Sequence, residues 1–388
     1  MPWYPRIQVA IKRVLPLLLP TQATNLALLV SALLAKRSSC LSELARAYPR
    51  PHPEQRRVPA PKHDLLHRVK RLWHFLDNPR IDAQALQLVL IPATIAGLGY
   101  PCLLGLAIDW TFFDSALPSG RRMRYQVLRI AVPRRGRALP LLQLAYNRDD
   151  LPAGQSQNQL EEDALLAVVQ ALPTRVRPVV LADHGFARAA FLAWLQEHGL
   201  DYVVRITAGT GLVTADGTRA RLGTEGLQPG EMRWAPHVRY GQRYQGRPRD
   251  LWVNVALCWR SPRHLSRTLR HAQPAEPWYL ATNQPSARQA VAWYRQRFWI
   301  EERFKDSKSR FHLKHVHIGS PERLTRLLLA LTIALCWLAL AALPERSDLP
   351  LGWHAAVAQW GRASFLGLAL ALLDALQDLP LPWLAIDL

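Results

Sequence analysis

The sequence predicts an α/β protein in which a catalytic-size sheet domain is split by a β-rich insertion and flanked by an all-helical N-terminal domain and C-terminal helices. Three observations carry this prediction. Apolar residues recur at helical spacing through residues 1–95, strand-like alternation replaces it after Pro101, and a Gly- and Arg-rich stretch of short β-prone pieces occupies 208–277. The segments are then 1–95 helical, 96–207 and 278–320 α/β, 208–277 β-rich, and 321–388 helical.

In the first segment, Ile7 to Leu19 and Asn25 to Lys36 are apolar at helical spacing, and a short helix opens near Ser39 and ends before Pro49. After a Pro/Arg-rich loop, Asp64 to Leu76 sets Leu65, Val69, Leu72 and Trp73 against His67, Arg68, Lys70 and Arg71. Beyond Pro101, LLGLAIDW is a continuous apolar run ending in an acid, Tyr125 to Val132 reads as a second strand, and Leu139 to Tyr146 returns as a third after the turn at Arg134 to Arg137. Asn158 to Leu172 is helical, Pro178 to Asp183 a short buried strand, Ala187 to His198 helical and Tyr202 to Thr207 a strand. Three meandering strands, then helix, strand, helix, strand, is the order of the ribonuclease H-like fold, whose strand ends present acids. Leu251 to Trp259 is the clearest strand of the insertion, Trp278 to Thr282 leads back, and Ala287 to Arg310 is a long helix.

At 388 residues, 49% hydrophobic and 20% charged, the chain has ample material for several cores, which excludes disorder as its dominant state. Lys and Arg number 49 against 29 Asp and Glu, a net +20 that suits a polyanionic partner. The excess concentrates in residues 1–95, with 14 cations to 5 anions, and in the insertion, with 11 to 5. The cations of Asp64 to Leu76 are read either as a solvated face or as a DNA contact through Arg68, Lys70 and Arg71. The four cysteines form no CxxC pair, so neither a zinc ribbon nor a disulfide framework is expected, and a reducing cytoplasm is the default location. The N-terminal apolar run is broken by Pro16 and Pro20, unlike a signal peptide. Leu327 to Leu343 is almost wholly apolar but would stretch only roughly 25 Å as a helix, so a buried core helix is expected and no membrane partner.

Three acids stand out. Asp109 and Asp183 each close an apolar strand, where a charge costs several kcal/mol unless something pairs with it. Either alone reads equally as a turn or cap residue; their joint placement makes them candidate ligands. The third lies on the helix from Ala287. At about 100° per residue, Tyr294, Arg297, Glu301 and Lys308 fall within an arc of about 60°, whereas Glu302 lies about 80° from Tyr294. By spacing alone, the stripe also fits a salt-bridged surface helix.

With these residues the sequence resembles the DDE transposases of bacterial insertion sequences, in the subgroup marked by Y-x2-R-x3-E-x6-K. YRQRFWIEERFKDSK carries that pattern at Tyr294, Arg297, Glu301 and Lys308. A first Asp followed two residues later by Thr appears as Asp109-Trp110-Thr111, and a second followed by x-Gly-Phe appears as LADHGF. YVVRI and WYLATN follow in order. Members often have Arg after the second Asp, where this chain has His184.

The resemblance implies cleavage at transposon ends and joining of the freed 3′ hydroxyls to target DNA. Asp109, Asp183 and Glu301 are then catalytic and metal-binding, hard oxygen donors for Mg²⁺ or Mn²⁺, with two ions expected. Arg297 and Lys308 grip phosphates and Tyr294 hydrogen-bonds or stacks beside them. Double-stranded DNA is the partner, and synapsis of two ends implies a homodimer. In the insertion, Trp234, Trp252 and Trp259 are candidates for stacking a flipped base, against the reading that they pack the insertion's own core. A ribonuclease H-like nuclease, or an inactive or domesticated DNA-binding derivative, would share much of this pattern.

Overall fold

A computed structural model describes residues 4–48, 61–117, 119–134, 137–151, 154–224, 226–240, 251–259, 276–309, 311–313 and 316–341. They fall into two compact units. The first draws on Met1–Pro101, Trp110–Arg175 and Trp299–Leu388, the second on Cys102–Asp109 and Val176–Phe298.

The first unit opens with helices α1 (Tyr4–Val14), α2 (Pro20–Lys36), α3 (Leu41–Ala47), α4 (Pro61–Leu76) and α5 (Ala83–Gly97). Helix α2 is apolar almost all round, and Leu26, Leu29, Val30 and Leu33 are fully buried. Its start is fixed by Pro20 and by the Gln22 side chain, whose oxygen accepts from the Leu19 amide at 2.9 Å. Helix α5 falls in the stretch expected to be all-helical and holds Pro92 inside it. Asp82 caps it, accepting from the Ala85 amide at 2.9 Å, and Pro92 is carried within the helix.

Strands β2 (Arg122–Arg134) and β3 (Arg137–Asn147) then form an antiparallel hairpin that sets Arg129 opposite Gln143. Its tip residues 135 and 136 lie outside the described residues. Helix α6 (Gln157–Ala171) starts in a capping box of Ser156 and Gln159. Helix α9 (Pro321–Ala341) packs on β3, α5 and α2, and Leu327 through Leu331 are fully buried. The long apolar run is thus core through Leu338, and residues 342–388 lie outside the described part. Among the described residues no helix is long and apolar enough to cross a membrane.

Strand β1 (Leu103–Ala116) runs through both units. It does not end at Asp109, as the apolar run suggests. Beyond that residue, burial alternates along WTFFDSA, a half-buried strand pattern that carries pairing geometry onward. In the second unit, β4 (Arg177–Ala182) and β5 (Asp201–Ile206) lie parallel to β1 and to each other, with α7 (Ala189–Glu197) between them in sequence. Strand β10 (Trp278–Thr282) adds antiparallel to β5, and β9 (Trp252–Cys258), β8 (Met232–Tyr240), β6 (Gly211–Val213) and β7 (Arg219–Arg221) follow. The inserted strands therefore extend the same sheet, because β9 pairs with the free edge of β10. The result is a mixed β-sheet flanked by helices. Helix α8 (Ala287–Ser309) leaves β10 and passes from the second unit into the first after Phe298.

Candidate active site

Register builds the site. Strands β1 and β4 pair in parallel from Leu103 with Arg177 through Ala107 with Leu181. The pairing ends there; Asp109 follows two residues later on β1, and Asp183 is the first residue past the end of β4. Neighbouring strands lie about 4.8 Å apart, so the parallel pairing brings the chain at Asp109 and the end of β4 at Asp183 to adjacent positions along the sheet. The pairing of β4 with β5 runs to Ala182 against Val204, and Arg205 follows on β5. Arg205 was missed by the sequence reading; its signal was a lone charge inside the short apolar strand YVVRI.

The residues after Asp183 explain themselves locally. Asp183 caps a single 3₁₀ turn, His184 to Phe186, and its Oδ1 accepts from the Gly185 amide at 2.9 Å. A Cβ on residue 185 would stand 3.1 Å from that same oxygen, tighter than ordinary contact, so glycine leaves the carboxylate its room. Phe186 is buried against Phe191, ring centres 5.8 Å apart, and anchors the turn. His184 is exposed.

The polar end of WYLATN ties the sheet to α8. Thr282 donates to the Tyr202 carbonyl at 2.6 Å, and the Asn283 side chain accepts from the Tyr202 amide at 3.0 Å while donating to the Leu200 carbonyl at 3.0 Å. Ser286 then receives the first turn of α8, its hydroxyl accepting from the Gln289 amide. Two turns on, Tyr294 is fully buried, edge-on to Trp278 at 5.1 Å, and Phe298 stacks on the same indole at 5.5 Å. Burial pushes the Tyr294 phenol above its ordinary value, against the nearby Arg297 and Arg205 charges, which favour the phenolate, and with Asp183, which opposes it. Arg297 lies over the Phe298 ring at 5.1 Å, and its Nη1 reaches Asp109 Oδ2 at 3.4 Å. Those two side chains are only 5% and 15% exposed.

The second unit thus brings together Asp109, Asp183, Tyr294, Arg297 and Arg205. Glu301 and Lys308 lie on the later turns of α8, both half-buried, in the portion belonging to the first unit. The Glu302 side chain lies outside the described residues. Among the described residues, no three His, Cys, Asp or Glu side chains cluster closely enough to hold a metal ion. Asp109 is instead paired with the chain's own guanidinium.

The N-terminal cations are separated by their partners. Arg68 forms an ion pair with Asp64 and donates from Nη1 to the Tyr48 carbonyl at 3.1 Å, which turns it toward α3. Lys70 and Arg71 are exposed and, with His67 and His74, line a groove of about 410 Å³ facing Thr21 and Asn25 of α2. Arg71 donates to Asn25 across it at 2.7 Å. In the insertion, Trp234, Trp252 and Trp259 are all half-buried, and His237 stacks on Trp252 at 4.4 Å, nearly parallel.

A mixed sheet flanked by helices, with parallel β1, β4 and β5 extended by antiparallel strands, defines an α/β protein. Residues 101–337, more than half of the chain, match the family model described as Transposase DDE domain, and the chain belongs to that family. Membership carries a transposase's enzymatic activity and a general role in DNA transposition. No curated protein matches the chain.

Proposed function

We propose that the protein carries out cut-and-paste transposition, cleaving DNA at transposon ends and joining the freed ends to target DNA, with Asp109, Asp183 and Glu301 as its catalytic acids. The observation that carries this reading is that Asp109, on β1, and Asp183, just past the end of its parallel neighbour β4, both lie beside the Tyr294–Arg297 face of α8. Carboxylates are the hard donors that suit Mg²⁺ or Mn²⁺, and Asp109, Asp183 and Glu301 would be the ones to hold such ions, once drawn closer together than they stand here. When bound, divalent ions activate the attacking oxygen and stabilise the leaving oxygen of an in-line displacement.

The chain's own residues do the rest. The Gly185 amide donates to Asp183 Oδ1 and orients that carboxylate. Arg297 balances the charge of Asp109 and, with Lys308, offers donors for phosphate oxygens beside the scissile bond. Tyr294 stiffens that helix through its buried ring. End recognition falls to the N-terminal helices through Lys70 and Arg71, and two ends are synapsed by a homodimer in the bacterial cytoplasm.

Single-turnover nicking of an end duplex in Mg²⁺ tests the reading. Glu301→Gln keeps size and polarity while removing charge, so it abolishes cleavage and leaves end binding intact; Glu302→Gln retains cleavage. Equal loss in both, or loss confined to Glu302→Gln, means that the helix register is wrong. Nicking by the unaltered chain without any joined product points to a hydrolytic nuclease instead.

A further inference from the structure

Arg129 is the largest of the fully buried side chains, 1% exposed in the interior of the first unit. Burying a guanidinium is costly and is tolerated only where its donors are answered. Its Nε donates to the Gln143 side-chain oxygen at 2.8 Å, its Nη2 donates to the same oxygen, and Nη2 also donates to the Ser307 hydroxyl at 3.1 Å. Gln143 is in turn held from both sides. Its Nε2 donates to Thr332 of α9 at 2.7 Å, its amide donates to Gln87 of α5 at 3.0 Å, and its carbonyl accepts from Gln87 at 3.1 Å. Thr332 closes the ring by donating to Gln87 at 3.1 Å. All five residues are buried to within about 1%.

From this network we infer that Arg129 is a positioning residue, which through Ser307 fixes the rotation of α8 about its axis and thereby aims Glu301 and Lys308. The inference rests on the reading of Glu301 given above. Ser307 lies six residues after Glu301, about 120° away around the helix, and one residue before Lys308. It is therefore on a different face from the Tyr294, Arg297, Glu301 and Lys308 stripe, and gripping it constrains where that stripe points. A helix face near a core could be fixed by apolar packing alone. Packing tolerates sliding, whereas a planar fork bonded to one oxygen and one hydroxyl admits a single azimuth. Misplacement of a catalytic group by about 1 Å costs on the order of 100-fold in rate, which gives such a clamp a purpose.

The test uses the full chain and two readouts: hydrogen exchange over residues 299–309 without metal, and Mn²⁺ affinity from water-proton relaxation. Ser307→Ala is expected to speed exchange of that segment about tenfold, leave exchange elsewhere unchanged, and weaken Mn²⁺ binding roughly tenfold, the usual range for losing an outer supporting bond. Ser307→Thr keeps the hydroxyl and should restore both values; Arg129→Lys keeps the charge but loses the fork and should behave as Ser307→Ala. Should Arg129→Lys fail to fold, the serine pair decides alone. Unchanged exchange in Ser307→Ala overturns the clamp, whatever Mn²⁺ does. Faster local exchange in a chain that binds no Mn²⁺ even unaltered supports the clamp and rejects the metal reading of Glu301.

Discussion

Arg297 and Asp109 meet where little water reaches, and there the loss of one partner matters more than the pair's own attraction. Arg297→Ala takes a cationic partner from a carboxylate that water hardly reaches and should destabilise the protein by about 3 kcal/mol, measured by urea unfolding. Asp109→Asn should cost less alone and should nearly cancel the further loss in the double variant, because the pair is then removed together. Additive losses would show that the 3.4 Å contact contributes nothing. Gly185 carries a second prediction at this scale. Gly185→Ala presses a methyl against Asp183 Oδ1, so it should slow end cleavage about tenfold by turning that carboxylate, while unfolding stability falls by no more than about 1 kcal/mol. Unchanged cleavage would mean that the carboxylate swings aside without consequence.

Among the elements, those with a strict period were legible from the residues alone. Trp278–Thr282 and the start of α8 fall where the residues predict them, at a short apolar strand followed by a long helical run from Ala287. Helix α5 falls in the stretch expected to be all-helical, and its Pro92, a residue that normally ends a helix, sits in one already stabilised by burial of Leu86, Ile91 and Ile95. The continuation of β1 past Asp109 was hidden, because the acid interrupts the apolar run that marks the strand. The two aspartates were legible by motif; the grouping of Asp183, Arg205 and Arg297 around Tyr294 depends on strand pairing, which no local pattern encodes. Helix α4 supplies a prediction of its own. With Arg68 ion-paired to Asp64, and Lys70 and Arg71 exposed on the groove, the grip on DNA is assigned to Lys70 and Arg71, so each replacement by Ala should lower the salt dependence of end binding by about one counterion, while Arg68→Ala should leave that slope unchanged and lower stability instead. Equal slopes for all three variants would refute this division.

At the scale of the whole molecule, buried tyrosines set an alkaline limit on the fold. Burial pushes the Tyr125, Tyr146 and Tyr202 phenols from 10.0 up to about 12, and raises Tyr48 as well. The folded chain therefore keeps protons that the unfolded chain releases near its ordinary tyrosine value. Below pH 10 this stability is fully present; as pH rises from 10 toward 12 the unfolded state ionises first, and stability falls. Tyr202 lies at the centre of the second unit, wholly buried, its hydroxyl accepting from Gln196 Nε2 at 3.0 Å. By linkage it alone removes about 2–3 kcal/mol across that window. Urea unfolding at steps from pH 9 to pH 12 should show the decline, and Tyr202→Phe, less stable at neutral pH for want of the Gln196 bond, should lose less between those limits. A stability curve of the same slope in both proteins would show that some other group governs alkaline unfolding.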